Sequence, residues 1–375
     1  MEANYRQALA LCEQGEQGEA GQGGEPTAQV FSAQLGLWAF YQLRAQYNVS
    51  LPLGERLLGM AERSHKPDQL AEGHRVQGST TFRLGQISVA RDHMEQVLAV
   101  QPADQSSFDF LLGYGRDPTV HAMATLGWIL WYQGLPDRAR ARSLEALALA
   151  RQRPDAFNLA LCLVFAAEVH LCRREVQKVG EFAEAAIAIS GEQGFPIYLA
   201  WGTVLQGWAV AERGDHQAGI AQMRQGLDAY AATGASLARP SLLGLLADAH
   251  GMAGEYRAGL ALLDEAMPLA EHTGERLDAS TLLRLKGELL LAGSDHGPLA
   301  REEAEACFRK AVAIAHEQGA RSLELRAALS LARLWQQEDK PDAARQVLAG
   351  VYGAFREGFE TPDLQQAKAL LDEVG

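Results

Sequence analysis

The chain has 375 residues, 47% of them hydrophobic and 22% charged, which is ample core-forming material and rules out disorder over most of its length. A formal charge of -13 repels phosphate backbones and sets nucleic acid aside as a partner. The first residues, Met1 to Tyr5, lack the basic region and apolar core of a leader. The longest apolar run, Leu159 to Ala167, is too short for a bilayer, so the expectation is a cytoplasmic protein with no membrane contact.

In chain order, Tyr5 to Cys12 reads as a lone second helix of a helix pair. Residues 13 to 26, rich in Gly, Glu and Gln, have nothing to bury and read as a mobile loop. The division expected is therefore 1–33, a partial helix and flexible loop, and 34–375, one helical repeat array. Residues 35 to 64 make a first, less regular helix pair, and Gly78, Gly85, Ala90 and Pro102 carry the small-residue, turn and closing offsets of a second. Gly113-Tyr-Gly115 resembles a phosphate loop only superficially, because Asp117-Pro118 follows it as a helix N-cap and first-turn proline, which marks a connecting loop.

From there the chain repeats every 40 residues. One ladder of small residues runs Gly127, Ala167, Gly207, Ala247, Gly287; a second runs Ala139, Val179, Gly219, Gly259 and, after an insertion, Ala304 and Ala344; a third runs Ala146, Ala186, Gly226, Ala266, Ala311. The first marks where helix A of a pair meets helix B, the others the answering positions on helix B. Gly194, Gly234, Gly274 and Gly319 close each unit as left-handed C-caps, and Gly85, Gly134, Gly214 and Gly254 supply the A-to-B turn. Each unit carries an apolar face that only its neighbour can bury, so the fold class is all-α, an α-α superhelix stacked as one body. Pro362 to Val374 reads as a capping helix, with Asp363, Gln365, Gln366 and Lys368 on a polar outer side.

The offsets Leu126-Gly127, Gly134, Ala139 and Ala146 resemble the tetratricopeptide (TPR) signature, with a period longer than the usual 34 residues. The long period, with stretches such as Arg284-Leu-Lys-Gly-Glu-Leu-Leu290 and Glu357-Gly-Phe-Glu-Thr-Pro-Asp-Leu364, is similar to the TPR-like C-terminal region of bacterial signalling proteins that join a nucleotide cyclase and a STAND ATPase module to such repeats. The resemblance spans roughly residues 30 to 375. It implies a regulatory or sensing region, attached to or associated with a cyclase or ATPase module. This chain itself has no GxxxxGK[ST] loop and no cyclase metal-binding aspartates, so neither activity carries over.

By TPR analogy, the position one residue after the first ladder faces the concave groove: Trp128, Glu168, Trp208, Asp248, Glu288 and Arg333. Seven residues earlier on the same stripe stand His121, Leu161, Trp201, Ser241, Thr281 and Arg326, with Trp131 and Arg284 beside it. The candidate partner-binding set is therefore His121, Trp128, Trp131, Glu168, Trp201, Trp208, Asp248, Arg284, Glu288, Arg326 and Arg333, aromatic toward the N-terminal half and charged toward the C-terminal half. Trp38 and Trp335 are expected in the core.

No HExxH, GxSxG or GxGxxG motif in the right setting occurs, and the four cysteines form no CxxC pair. No catalysis, cofactor or metal is expected. The function expected is a protein-interaction scaffold or sensor that takes a peptide or protein segment in its groove; the alternative is a small-molecule receptor with an aromatic pocket.

Overall fold

The computed structural model describes residues 28–100, 117–153, 155–293 and 297–374. Tyr5 to Cys12, the loop 13–26, Pro102 and Gly113-Tyr-Gly115 lie outside the described residues. Seventeen helices and no strand occur among the described residues. They form eight antiparallel pairs: α1 Ala28–Leu43 with α2 Tyr47–Ser64, α3 Pro67–Arg83 with α4 Ile87–Ala99, α5 Pro118–Tyr132 with α6 Pro136–Gln152, and α7 Ala156–Cys172 with α8 Val176–Gln193. There follow α9 Pro196–Glu212 with α10 His216–Ala232, α11 Arg239–Met252 with α12 Tyr256–Thr273, α13 Ala279–Gly293 with α14 Pro298–Gln318, and α15 Arg321–Gln337 with α16 Pro341–Tyr352. The last helix, α17, is Pro362–Glu373. Helix α1 begins at Ala28, six residues ahead of the expected start of the array.

The ladders do what their spacing demands. Gly85, Gly134, Gly214 and Gly254 turn each A helix into its B helix with φ between 75° and 100°, and Gly194, Gly234, Gly274 and Gly319 end B helices with φ between 67° and 77°. The pair α9 and α10 has the most extensive contact. Its cause is Gly207 facing Gly219: a Cβ on Gly219 would lie 2.5 Å from the Gly207 carbonyl oxygen and 2.6 Å from the Ala211 nitrogen. One continuous apolar core, from Ala71 to Leu323, runs through the stack, with smaller clusters at each end.

The superhelix completes a turn in five pairs and then rests on itself. An A helix ends with carbonyls that have no partner within the helix, and the next turn supplies the donors. Leu43 O accepts from the Ser236 and Leu237 amides at 2.7 and 3.1 Å, and Arg83 O accepts from Arg276 and Leu277 at 3.0 and 3.2 Å. Trp131 O accepts from the Ser322 hydroxyl 191 residues away, and Cys172 O from the Arg326 guanidinium. Thus α11 stands on α1, α13 on α3 and α15 on α5. Helix α17 completes the series over α7 and corrects the outward placement of Asp363. That carboxylate is buried and bonded to Arg326 and Arg174, while Gln365 and Lys368 do face out.

Candidate functional site

The A helices line the inside of the superhelix. Where the first turn meets the second lies a chamber of about 410 Å³. Trp128, Trp131, Glu168, Trp201, Trp208, Asp248, Arg284, Glu288, Arg326 and Arg333 all line it. Its walls come from the C-terminal halves of α5 and α7 and from residues along α9, α11, α13 and α15.

His121 lies elsewhere. Seven residues span about 10 Å along a helix, which carries His121 up from Trp128 into a second, apolar chamber of about 200 Å³. There it packs edge-on against Phe165, with ring centroids 5.9 Å apart, beside the Thr125 hydroxyl. Trp128 and Trp201 line both chambers, and the buried Arg83 guanidinium lies 5.1 and 5.7 Å from their ring centroids.

The expected open groove is a walled lumen instead, because the second turn lies across the first. Trp128, Glu168, Trp201 and Trp208 are 4%, 6%, 2% and 3% exposed, although they face the chamber. Arg333 stands exposed, its guanidinium 3.0 Å from Gln366 Oε1.

The polar groups are of two kinds. Three arginines are paired: Arg284 with Glu288 at 2.6 Å, Arg326 with Asp363 at 2.8 Å, and Arg174 with Asp363 at 3.1 Å. Arg326 also lies 4.7 Å from the Trp131 ring centroid. Burial would raise Glu288, but Arg284 and the Ser330 hydroxyl together hold it below the usual carboxylate range.

The remaining carboxyls have no cation paired to them. Glu168 accepts from the Trp201 indole N–H at 2.7 Å, and burial pushes it up to about 7 despite that bond. Asp278 accepts from the Tyr132 and Ser241 hydroxyls. Asp248 is raised by burial and Glu212 by burial and then Asp248, with Arg284 and Arg174 offsetting only part. The Trp128 and Trp208 indole nitrogens are buried beside Cys172 and Asp248 without a hydrogen bond of good geometry.

Sequence reasoning missed Arg174, Glu212, Asp278 and Asp363. Arg174 left a trace: it interrupts the glycine ladder between Gly134 and Gly214 and adopts their left-handed backbone, φ 58°, where glycine would carry no steric cost. The others face inward for reasons of superhelical geometry. Trp38 is buried, donating to Thr80 Oγ1 at 3.0 Å, as expected of a core residue; Trp335 is half-buried and donates to Glu305. Among the described residues no three His, Cys, Asp or Glu side chains gather closely enough for a metal ion, and no helix is long and apolar enough to cross a membrane.

No family model matches the chain. It is 23% identical over 301 residues to an uncharacterized protein of Rhizobium meliloti (strain 1021), covering 79% of this chain and 28% of that one, so the chain spans just over a quarter of that relative's length. Among solved structures it is similar to a Rap protein complexed with competence and sporulation factor, at TM-score 0.57 and 10% identity, over 92% of this chain and 98% of that one. A STAND signal-transduction ATPase with a tetratricopeptide repeat sensor, from Pyrococcus horikoshii, aligns over all of this chain and 54% of its own at 12% identity and TM-score 0.46. With its antiparallel helix pairs, the fold is an all-α superhelical solenoid, similar in fold to that Rap protein.

Proposed function

We propose that the protein is a sensor or scaffold module of a signalling system, whose lumen takes a peptide or a short protein segment. One observation carries this reading: ten aromatic and charged side chains picked from the repeat stripe and its flank converge on one chamber of about 410 Å³. That volume lies within the range of pre-formed ligand sites, and its mixture of indoles with a few charged groups suits a ligand with both apolar and polar parts. The Rap protein of like fold was solved with a bound factor, which supports the reading by analogy of fold. In this proposal the chain binds and does no chemistry, works in the cytoplasm away from nucleic acid, and passes occupancy to an attached or associated cyclase or ATPase module.

A second reading, a small-molecule receptor, is favoured by the smaller chamber, whose lining is mostly apolar, from Trp38, Phe82, Phe157, Phe165 and Ile197, with a few polar groups such as His121 and Thr125. Selection of random peptides on the immobilised chain tests the first reading against it. Selected peptides should lose at least about tenfold in affinity for an Asp248→Asn, Arg333→Ala double variant, since both side chains line the chamber and neither supports the core. Unchanged affinity would move binding off the lumen, and selection that yields no peptide would favour the small-molecule receptor.

A further inference from the structure

The larger chamber has a surplus of negative charge that the chain itself does not neutralise. Glu168, Glu212, Asp248 and Asp278 form no ion pair; of the four arginines in the lining, Arg174, Arg284 and Arg326 are each engaged by another carboxylate, and Arg333 stands exposed against Gln366. At Glu168 and Asp278 the nearby donors, the Trp201 N–H and the Tyr132 and Ser241 hydroxyls, already point at the carboxyls. What remains for a ligand there is acceptor lone pairs, framed by indoles. Carboxyls lacking a counter-charge are raised by burial, and Glu168, Asp248 and Glu212 all are.

We propose that this chamber recognises an organic ammonium group, held by Glu168 and Asp278, on a ligand whose apolar body rests against Trp128 and Trp201. This rests on the lumen reading above and names the chemistry that the lumen selects. A metal ion would need ligands gathered more tightly than these are. An alkylammonium needs no tight cage: it combines a carboxylate contact with attraction to an aromatic ring and brings its own hydrocarbon to cover the indoles. Such a group occurs on free amines and on peptide N-termini.

The test is titration calorimetry on the full chain at neutral pH. The probes are 2-phenylethylamine, its neutral analogue 2-phenylethanol, its anionic counterpart phenylacetate, and the tripeptide Phe-Gly-Gly with and without an N-acetyl group. At least one free-amine probe should bind saturably, with its uncharged or acetylated counterpart and phenylacetate at least about tenfold weaker. Glu168→Gln keeps the acceptor for Trp201 and should lose at least about tenfold for the amine while leaving helicity unchanged. Preference for 2-phenylethylamine over the tripeptide would identify a free amine, and the reverse a peptide N-terminus. Phenylethanol, phenylacetate or the acetylated peptide binding as well as the amines would overturn the proposal, as would saturable binding by neither amine or an unaffected Glu168→Gln variant. The lumen reading would stand in each case, because it falls only to the peptide selection and its Asp248→Asn, Arg333→Ala comparison.

Discussion

At the scale of single residues, the buried carboxyls give the protein a pH dependence of defined sign. Burial holds Glu168 and Glu275 each at about 7, well above a carboxyl in an unfolded chain. Between about pH 4.5 and 7 the folded state therefore keeps protons that the unfolded state has lost, and stability falls as pH rises through that window. Each group accounts for roughly 3 kcal/mol over the whole interval. Glu175, held at about 2 by His170 and Arg173 against the opposing effect of burial, acts only below that window. The thermal midpoint should be higher near pH 5.5 than near pH 7.5, and Glu168→Gln should raise the midpoint at the higher pH while leaving it nearly unchanged at the lower. A midpoint that climbs with pH in both proteins would contradict the burial of these groups. That ten of the eleven candidate side chains line one chamber was legible in the sequence, because repeat register fixes which side of helix A faces inward. Their ionic pairing was not: Arg174 and Asp363 are 189 positions apart and meet only when one turn closes on another.

At the scale of the helix pair, almost everything was written in the small-residue ladders. Gly127, Ala167, Gly207 and Ala247 recur because the A and B backbones approach too closely for a larger side chain. What the ladders conceal is how unequal the approaches are. At Gly219 an added Cβ meets backbone atoms at 2.5 and 2.6 Å, which no rotamer change relieves, whereas at Gly191, on the exposed side of α8, it meets nothing within 4 Å. Gly219→Ala should therefore cost about 1–3 kcal/mol through forced separation of α9 and α10. Gly191→Ala should gain up to about 1 kcal/mol from helix propensity alone. Chemical denaturation of the two variants decides the matter: equal and small effects would mean that the α9–α10 approach is looser than described.

At the scale of the molecule, closure of one superhelical turn on the next turns a groove into a lumen, and no pattern along the sequence announces it. A small rotation per repeat, summed over five pairs, decides whether turns meet, and that angle is set by packing throughout the stack. The contact is polar where it is most buried. Arg83 on α3 faces Glu275 at 3.6 Å, and Glu275 also accepts from the Tyr47 hydroxyl at 3.1 Å and the Ala238 amide at 3.2 Å. A buried ion pair of this kind adds little stability over an apolar pair of the same volume, but its half-removal strands a charge. Glu275→Ala should accordingly cost about 3–5 kcal/mol, and the Arg83→Met, Glu275→Leu double variant distinctly less, a reversal that separates pairing from packing. Because Arg83 also lies against Trp128 and Trp201, the stranded charge in Glu275→Ala should disturb the lumen as well as the junction. Small-angle scattering then gives the structural half of the answer. If the turns are held by this contact, the single variant should expand and the double variant should keep the wild-type radius; if both keep it, closure rests on the other contacts between turns, among them the hydrogen bonds to the Leu43, Arg83, Trp131 and Cys172 carbonyls.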